Sequence, residues 1–345
     1  MSSAANPPKS PFRLFYWALA LLFAGILLYF SLRGIHWRDV WQTLLHANLG
    51  LVALGLLLSS LALFLRAVRW RVLLRAGAAI SIPTAFWATS AGYFGNNFLP
   101  ARAGEVIRSL MVSASSGLSK TFVLTTALSE RLCDAISLVI ISSVVLLTLP
   151  VKPGWFAHAA TPFAVLGLCG ALGIAILPKI QGVCQKCVHL LPVPEGLKGK
   201  LLGILDQILV GMRSFHDKKR LSAFVAFTAV IWLCDAVSAV LGMRALGLPG
   251  TLPIALLLNT GLGLGSALPS TPGYVGIYQF VAVSVLTPFG FSKTDAIAFI
   301  LLSQAVQYVL ITFWGSLGLA KSRALRSAAA GAEIPVASPL NAHQF

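Results

Sequence analysis

The chain has 345 residues, of which 57% are hydrophobic and 10% charged, and its mean hydropathy is +0.84. Soluble domains carry about 25% charged residues, so a soluble enzyme and a disordered chain are both excluded. Basic residues outnumber acidic ones 26 to 10, for a net charge of +16; in so apolar a chain this excess marks cytoplasmic helix ends facing anionic lipid and excludes nucleic acid as the expected partner. The apolar residues come in long blocks, not in alternating strands of about ten residues, so a membrane β-barrel fits badly. What remains is an all-α polytopic membrane protein.

In chain order, residues 1–13 read as a polar cytoplasmic tail, with Lys9 and Arg13 before the first apolar run. That run, about 14–32, has no small-residue cleavage site and reads as an uncleaved span. A second span, about 49–65, ends in Arg66, Arg69, Arg71 and Arg75 around Trp70. This is the pattern of a cytoplasmic anchor, with lipid-phosphate binding as the alternative. Further spans are expected over about 121–149, 156–177, 221–242 and 294–320. Between them, residues 179–220 carry Lys179, Lys186, Lys198, Lys200, Arg213, Lys218, Lys219 and Arg220. Leu197, Leu201, Leu205, Ile208, Met212 and Phe215 recur there at helical spacing, so this cytoplasmic segment is amphipathic. The C-terminal stretch 323–345 is rich in small residues and reads as disordered. Five cysteines give no disulfide framework, and Cys184, Cys187 and His189 form only an incomplete metal set.

Topology then constrains two segments. Residues 76–120 must leave and return on the cytoplasmic side, and residues 245–293 on the outer side. Both are interrupted by Gly and Pro and are short for two full spans. Both therefore read as re-entrant or broken-helix hairpins, one from each leaflet. The expected architecture is about six full spans plus these two hairpins, with both termini cytoplasmic. In transporters, broken helices of opposite entry meet near the midplane and line a substrate site.

The first hairpin contains Asn97, Pro100, Arg102, Gly104, Glu105 and Arg108. Pro100 breaks the helix, and the backbone N–H groups of a new helix start suit an anion. Glu105 lies three residues from each arginine, and two arginines against one carboxylate leave a net positive site. Glu130, Arg131 and Asp134 lie within the third span; Glu130 and Asp134 share a face, and Arg131 reaches Asp134. Charges this deep are costly. They read as partners of the first cluster, as a proton or cation relay, or as an internal ion-pair staple. Asp235 has no local basic partner before Arg244, so another helix must supply one or the carboxyl is protonated. The second hairpin holds Gly261, Gly263 and Gly265, then Pro269, Pro272, Gly273, Gly276 and Gln279. Irregular backbone of this kind survives at membrane depth only in a protein interior or against water, so it reads as a cavity wall. No nucleophile–base set, P-loop or zinc-protease motif is present in the sequence.

Four motifs in this order resemble the flippase-like family, which comprises the transmembrane region of lysyl-phosphatidylglycerol synthases and its stand-alone relatives. They are Arg66 to Trp70, Asn97 to Glu105 with Arg108, Glu130–Arg131 with Asp134, and Pro272 to Gly276. The resemblance covers about residues 14–322, taken as one transmembrane domain. The family's last motif usually reads Pro-Gly-Gly-x-Gly followed by a Glu. Here Tyr274 replaces the second Gly and Gln279 stands in place of the Glu, so a carboxylate role there is lost. Bifunctional relatives carry a soluble aminoacyl-transferase domain after the membrane region. This chain stops soon after its last predicted helix, so the resemblance implies no synthase activity, no cofactor and no metal. It implies a non-enzymatic lipid translocator of a bacterial-type inner membrane, acting on an anionic or aminoacylated phospholipid or on a polyisoprenoid or hopanoid lipid. Asn97, Arg102, Glu105, Arg108, Glu130, Arg131 and Asp134 would then meet the head group. Pro100, Gly104, Pro269, Pro272, Gly273, Gly276 and Gln279 would shape the cavity. The alternative is a non-transporting scaffold for a lipid, hopanoid or glycan biosynthetic enzyme.

Overall fold

The computed structural model describes residues 11–99, 103–148, 217–266 and 272–331, with residue 165 and short stretches between 181 and 206. Every regular element among them is helical. The N-terminal half contains α1 (Pro11–Leu32), α2 (Trp37–Leu45), α3 (Leu49–Leu74), α4 (Ile82–Phe98), α5 (Gly104–Ser116) and α6 (Lys120–Thr148). After α7 (Gln181–Leu190) come α8 (Lys218–Ala245), α9 (Leu252–Gly265), α10 (Ile277–Leu286) and α11 (Lys293–Gly331). A 3-10 turn at Pro272–Tyr274 precedes α10.

Three described helices are long and apolar enough to cross a membrane: α3, α8 and residues 293–321 of α11. Their outer faces are greasy; Leu54, Leu57 and Leu61 of α3 are about half exposed or more, as lipid contact allows. α6 has 29 residues and so spans about 43 Å, but it carries Glu130, Arg131 and Asp134 in its body. The helices of the two expected hairpins are shorter: 17 and 13 residues for α4 and α5, and 14 and 10 for α9 and α10. At 1.5 Å per residue none of the four covers the ~30 Å hydrocarbon core alone. The span expected over 156–177, residue 165 apart, and part of the amphipathic segment 179–220, including Ile208, Met212 and Phe215, lie outside the described residues.

The helix starts follow local chemistry. Asn48 accepts a hydrogen bond from Leu51 N, Ser81 from Thr84 N, and Asp217 from Lys219 N and Arg220 N, each capping free N–H groups at a helix start. Gly117 ends α5 in the left-handed region. One boundary departs from expectation: α11 continues to Gly331, into the stretch read as disordered. Ala324, Ala328, Ala329 and Ala330 favour helix strongly enough to extend it.

Small residues set how closely the helices approach. α3 packs most extensively on α8, where Ser59 Oγ and Ser238 Oγ lie 2.9 Å apart and Ser238 Oγ donates to Gly55 O. α11 crosses α4 with Gly315 against Phe94 and Gly318 against the Trp87 carbonyl. In α9, Gly261 and Gly265 share the face toward Val281 and Ile277 of α10, while Gly263 faces Leu138 of α6. The tightest approach is α4 on α5: a Cβ on Gly104 would meet the Gly92 carbonyl oxygen and Asn96. Gly104→Ala is therefore expected to cost about 2 kcal/mol or more through overpacking. Gly25→Ala, which meets nothing within 4 Å, should cost nothing. Thermal unfolding of both variants in detergent checks this.

Candidate functional site

The interior holds a charge core built from α3, α5, α6 and α8. Arg66 and Arg69 lie three residues apart, so they share a face of α3 turned inward. Arg71 sits about 200° round the helix from Arg69, and its Nε donates to Ile80 O across the α3–α4 loop. The basic cluster read as one cytoplasmic anchor thus divides into two inward and two outward residues. Arg69 is completely buried. Its Nε and Nη2 donate to Glu130 Oε1 at 3.2 and 2.8 Å, and Nη1 and Nη2 to Asp134 at 2.6 and 3.0 Å. Arg108 donates from Nε to Glu105 at 2.6 Å, from Nη1 to Glu130 Oε2 at 2.8 Å and from Nη2 to Ala127 O at 3.4 Å. Its guanidinium also lies 4.5 Å over the Trp70 ring, whose Nε1 donates to Thr126. Asp235 finds its partner on α3: it pairs with Arg66.

Arg131 is held differently. Its contacts with Glu105, Glu130 and Asp134 are 3.5, 3.6 and 3.6 Å, and its one direct hydrogen bond goes to Tyr93 Oη at 3.2 Å. Its side chain is 25% exposed. Four arginines face four carboxylates, so among the described residues the site is balanced. The net positive site expected from the first hairpin includes Arg102, which lies outside the described residues; α6 adds Glu130, Arg131 and Asp134 around Arg108 and Glu105.

Beside this core lies a cavity of about 340 Å³. Arg66, Tyr93, Asn96, Asn97, Glu105, Arg131 and Asp134 line it. Trp232, Asp235, Asn259, Tyr274, Gln304 and Tyr308 also line it, with leucine and valine side chains of α3. Five buried polar atoms of lining residues have no hydrogen-bond partner among the described residues: Asn96 Oδ1, Asn97 Nδ2, Arg131 Nε, Trp232 Nε1 and Asn259 Nδ2. Each unsatisfied buried group costs about 1–3 kcal/mol unless a ligand or water meets it.

The second hairpin supplies part of the lining. Gly273 adopts φ 71° against the Tyr308 hydroxyl, where no Cβ fits, and Gly276 adopts φ 93°. Tyr274, in place of the family's glycine, still takes a positive φ of 59°. That conformation costs a side-chain-bearing residue about 1–2 kcal/mol. The cost is offset by stacking on Tyr278, with ring centroids 4.9 Å apart and planes 12° from parallel. Gln279 locks the turn: its Oε1 accepts from Gly276 N and its Nε2 donates to Gln304 Oε1, while Gln304 Nε2 donates to Gly273 O.

Of the expected head-group residues, Asn97, Glu105, Arg131 and Asp134 line the cavity. Arg108 and Glu130 lie behind its wall, committed to one another. Arg102 lies outside the described residues, as do Pro100 and Pro269. Gly273 lines the cavity; Gly104, Gly276 and Gln279 support it from behind, and Pro272 begins the 3-10 turn. The reading from sequence missed Arg66, Tyr93, Asn259 and Trp232, and the polar stripe Gln304, Gln307 and Tyr308. That stripe had a signal, since three polar residues at i, i+3 and i+4 in an apolar span face an interior.

The two classes of charge should respond differently to mutation. Glu130→Gln leaves Arg69 and Arg108 short of a buried counter-charge and is expected to cost about 3–5 kcal/mol. Arg131→Gln removes only long, partly exposed contacts and should cost about 1 kcal/mol or less. Thermal unfolding in detergent separates them; equal losses would overturn the division into frame and cavity-facing groups.

Comparison with known proteins places this geometry in a family. The chain is 24% identical over 314 residues to the glycosyltransferase AglD of Haloferax volcanii, an alignment covering 81% of this chain and 50% of the relative. The chain thus spans about half the length of that curated protein. Residues 17–315, including both broken-helix segments and the charge core, match the model of the lysylphosphatidylglycerol synthase TM region. The chain is a membrane protein and belongs to that family.

Proposed function

We propose that this protein is a lipid translocator whose cavity receives a head group while the tails stay in the bilayer. The observation that carries the reading is a cavity, inside a bundle with a lipid-facing exterior, five of whose lining residues each hold a buried polar atom without a hydrogen-bond partner among the described residues. In this reading the α4–α5 and α9–α10 pairs are re-entrant hairpins entering from opposite leaflets. The protein sits in an inner membrane with both termini cytoplasmic. Glu130, Arg69 and Arg108 hold the frame. Arg131, Asn97, Glu105 and Asp134 meet the head group, and the chain performs no group transfer itself. The name of the Haloferax volcanii relative, a glycosyltransferase, supports a sugar-linked context.

A second reading, a non-transporting scaffold for a lipid or glycan biosynthetic enzyme, draws on the mutual pairing of the interior charges. Proteoliposomes distinguish the two. Transbilayer movement of acyl-labelled phosphatidylglycerol and of an acyl-labelled hexosyl diacylglycerol is followed by quenching of the outer leaflet. The wild type is expected to accelerate at least one of the two. Arg131→Ala and Asn97→Ala should slow that movement about tenfold, equivalent to about 1.4 kcal/mol, while lowering the melting temperature less than Glu130→Gln does. Rates equal to protein-free liposomes for both lipids would move the case to the scaffold.

A further inference from the structure

From the lining of the cavity we infer that the group it binds is an uncharged polyol, such as a sugar ring. This deepens the head-group reading and rests on it. Three observations converge. First, four of the five unpaired atoms are donors: Asn97 Nδ2, Arg131 Nε, Trp232 Nε1 and Asn259 Nδ2. The fifth, Asn96 Oδ1, packs against Gly104 in the α4–α5 contact while its Nδ2 donates to Glu105 Oε1 at 3.3 Å, and the acceptors on the lining include the Glu105 and Asp134 carboxylates. A hydroxyl both accepts and donates, so a ring of hydroxyls satisfies a mixed set of this kind.

Second, the charges are already balanced. Arg66 pairs with Asp235; Arg69 and Arg108 are saturated by Glu105, Glu130 and Asp134. Arg131, the loosely held guanidinium, already faces Glu105, Glu130 and Asp134, so among the described residues an entering anion would have to displace carboxylates in a low-dielectric site. A neutral polyol carries no such penalty. Third, the lining presents aromatic surface: the stacked Tyr274–Tyr278 pair, with Trp232 and Tyr308. The aliphatic C–H face of a sugar ring packs on such a surface, while its equatorial hydroxyls reach amides at the edge. The cavity volume, about 340 Å³, is at the small end of the range for ligand sites and suits a single ring.

Native mass spectrometry of the full-length protein tests this. The detergent must be a polyoxyethylene, since a maltoside would present the same chemistry. The probes are a monohexosyl diacylglycerol, phosphatidylglycerol and free glucose. The hexosyl lipid is expected to be retained in preference to phosphatidylglycerol. Retention should fall about tenfold in Asn259→Leu and in Trp232→Phe, which removes the indole donor and keeps an aromatic ring. Trp232→Phe keeps the test valid should Asn259→Leu fail to fold. Displacement of the hexosyl lipid by millimolar glucose supports the polyol site with a soluble source. No displacement supports it with a lipid source. Preference for phosphatidylglycerol, or retention unchanged in both folded variants, overturns the inference, as does an absence of any preferred lipid or sugar, which leaves a water-filled cavity. Hexosyl lipid that binds but never crosses the bilayer would sink the translocator and leave this inference standing. Transbilayer movement with phosphatidylglycerol preferred would do the reverse.

Discussion

Glu130 sits between two guanidiniums, with one carboxylate oxygen on Arg69 and the other on Arg108. That arrangement ties α3, α5 and α6 together at a depth where an unpaired charge costs several kcal/mol. Thr228 and the Arg66–Asp235 pair extend the tie to α8. Buried ion pairs repay their desolvation poorly but are expensive to break. Their consequence here is specificity of packing: one helix arrangement satisfies every member, and displacing any of these helices leaves a charge stranded.

Around that fixed point the glycines decide how the irregular segments fit. Gly104 lets α5 start directly against the Gly92 carbonyl, which places Glu105 and Arg108 within reach of α6. Gly261 and Gly265 bring α10 onto α9, and the positive φ angles of Gly273 and Gly276 turn the chain toward Tyr308 and Gln304. Backbone groups released by the break are taken up by side chains, as when Gln279 accepts from Gly276 N. An amide does this as well as a carboxylate and also donates to Gln304. The glutamine therefore gives the tip a neutral lock and keeps the interior charge balanced.

Much of the interior could be read from the residue order. Glu130, Arg131 and Asp134 stand out because polar residues in an apolar span must face inward, and helix geometry alone puts Glu130 and Asp134 on one face. The same argument required a partner for Asp235 from another helix. It could not name Arg66, because that pairing joins residues 169 positions apart and local spacing carries no information about it. Arg66 and Arg69 looked like part of a helix-end anchor because four arginines close to one another resemble a topology signal. Only the rotation of α3 about its axis assigns two of them to the interior. Arg108 looked available to an anion because its second carboxylate partner, Glu130, lies on another helix.

The sequence by itself determined the class of molecule, the segments too apolar to be anything but helices in lipid, the broken-helix character of two of them, and the residues too polar to face that lipid. These follow from composition and from periodicity along one helix, which are one-dimensional quantities. Only the tertiary structure decided which charges neutralise one another, which guanidinium stays loosely held beside the cavity, and which amides and rings share its wall. Those outcomes depend on how helices far apart in the chain rotate and cross, and that is set by side-chain volumes meeting in space, with glycine contacts allowing the closest crossings.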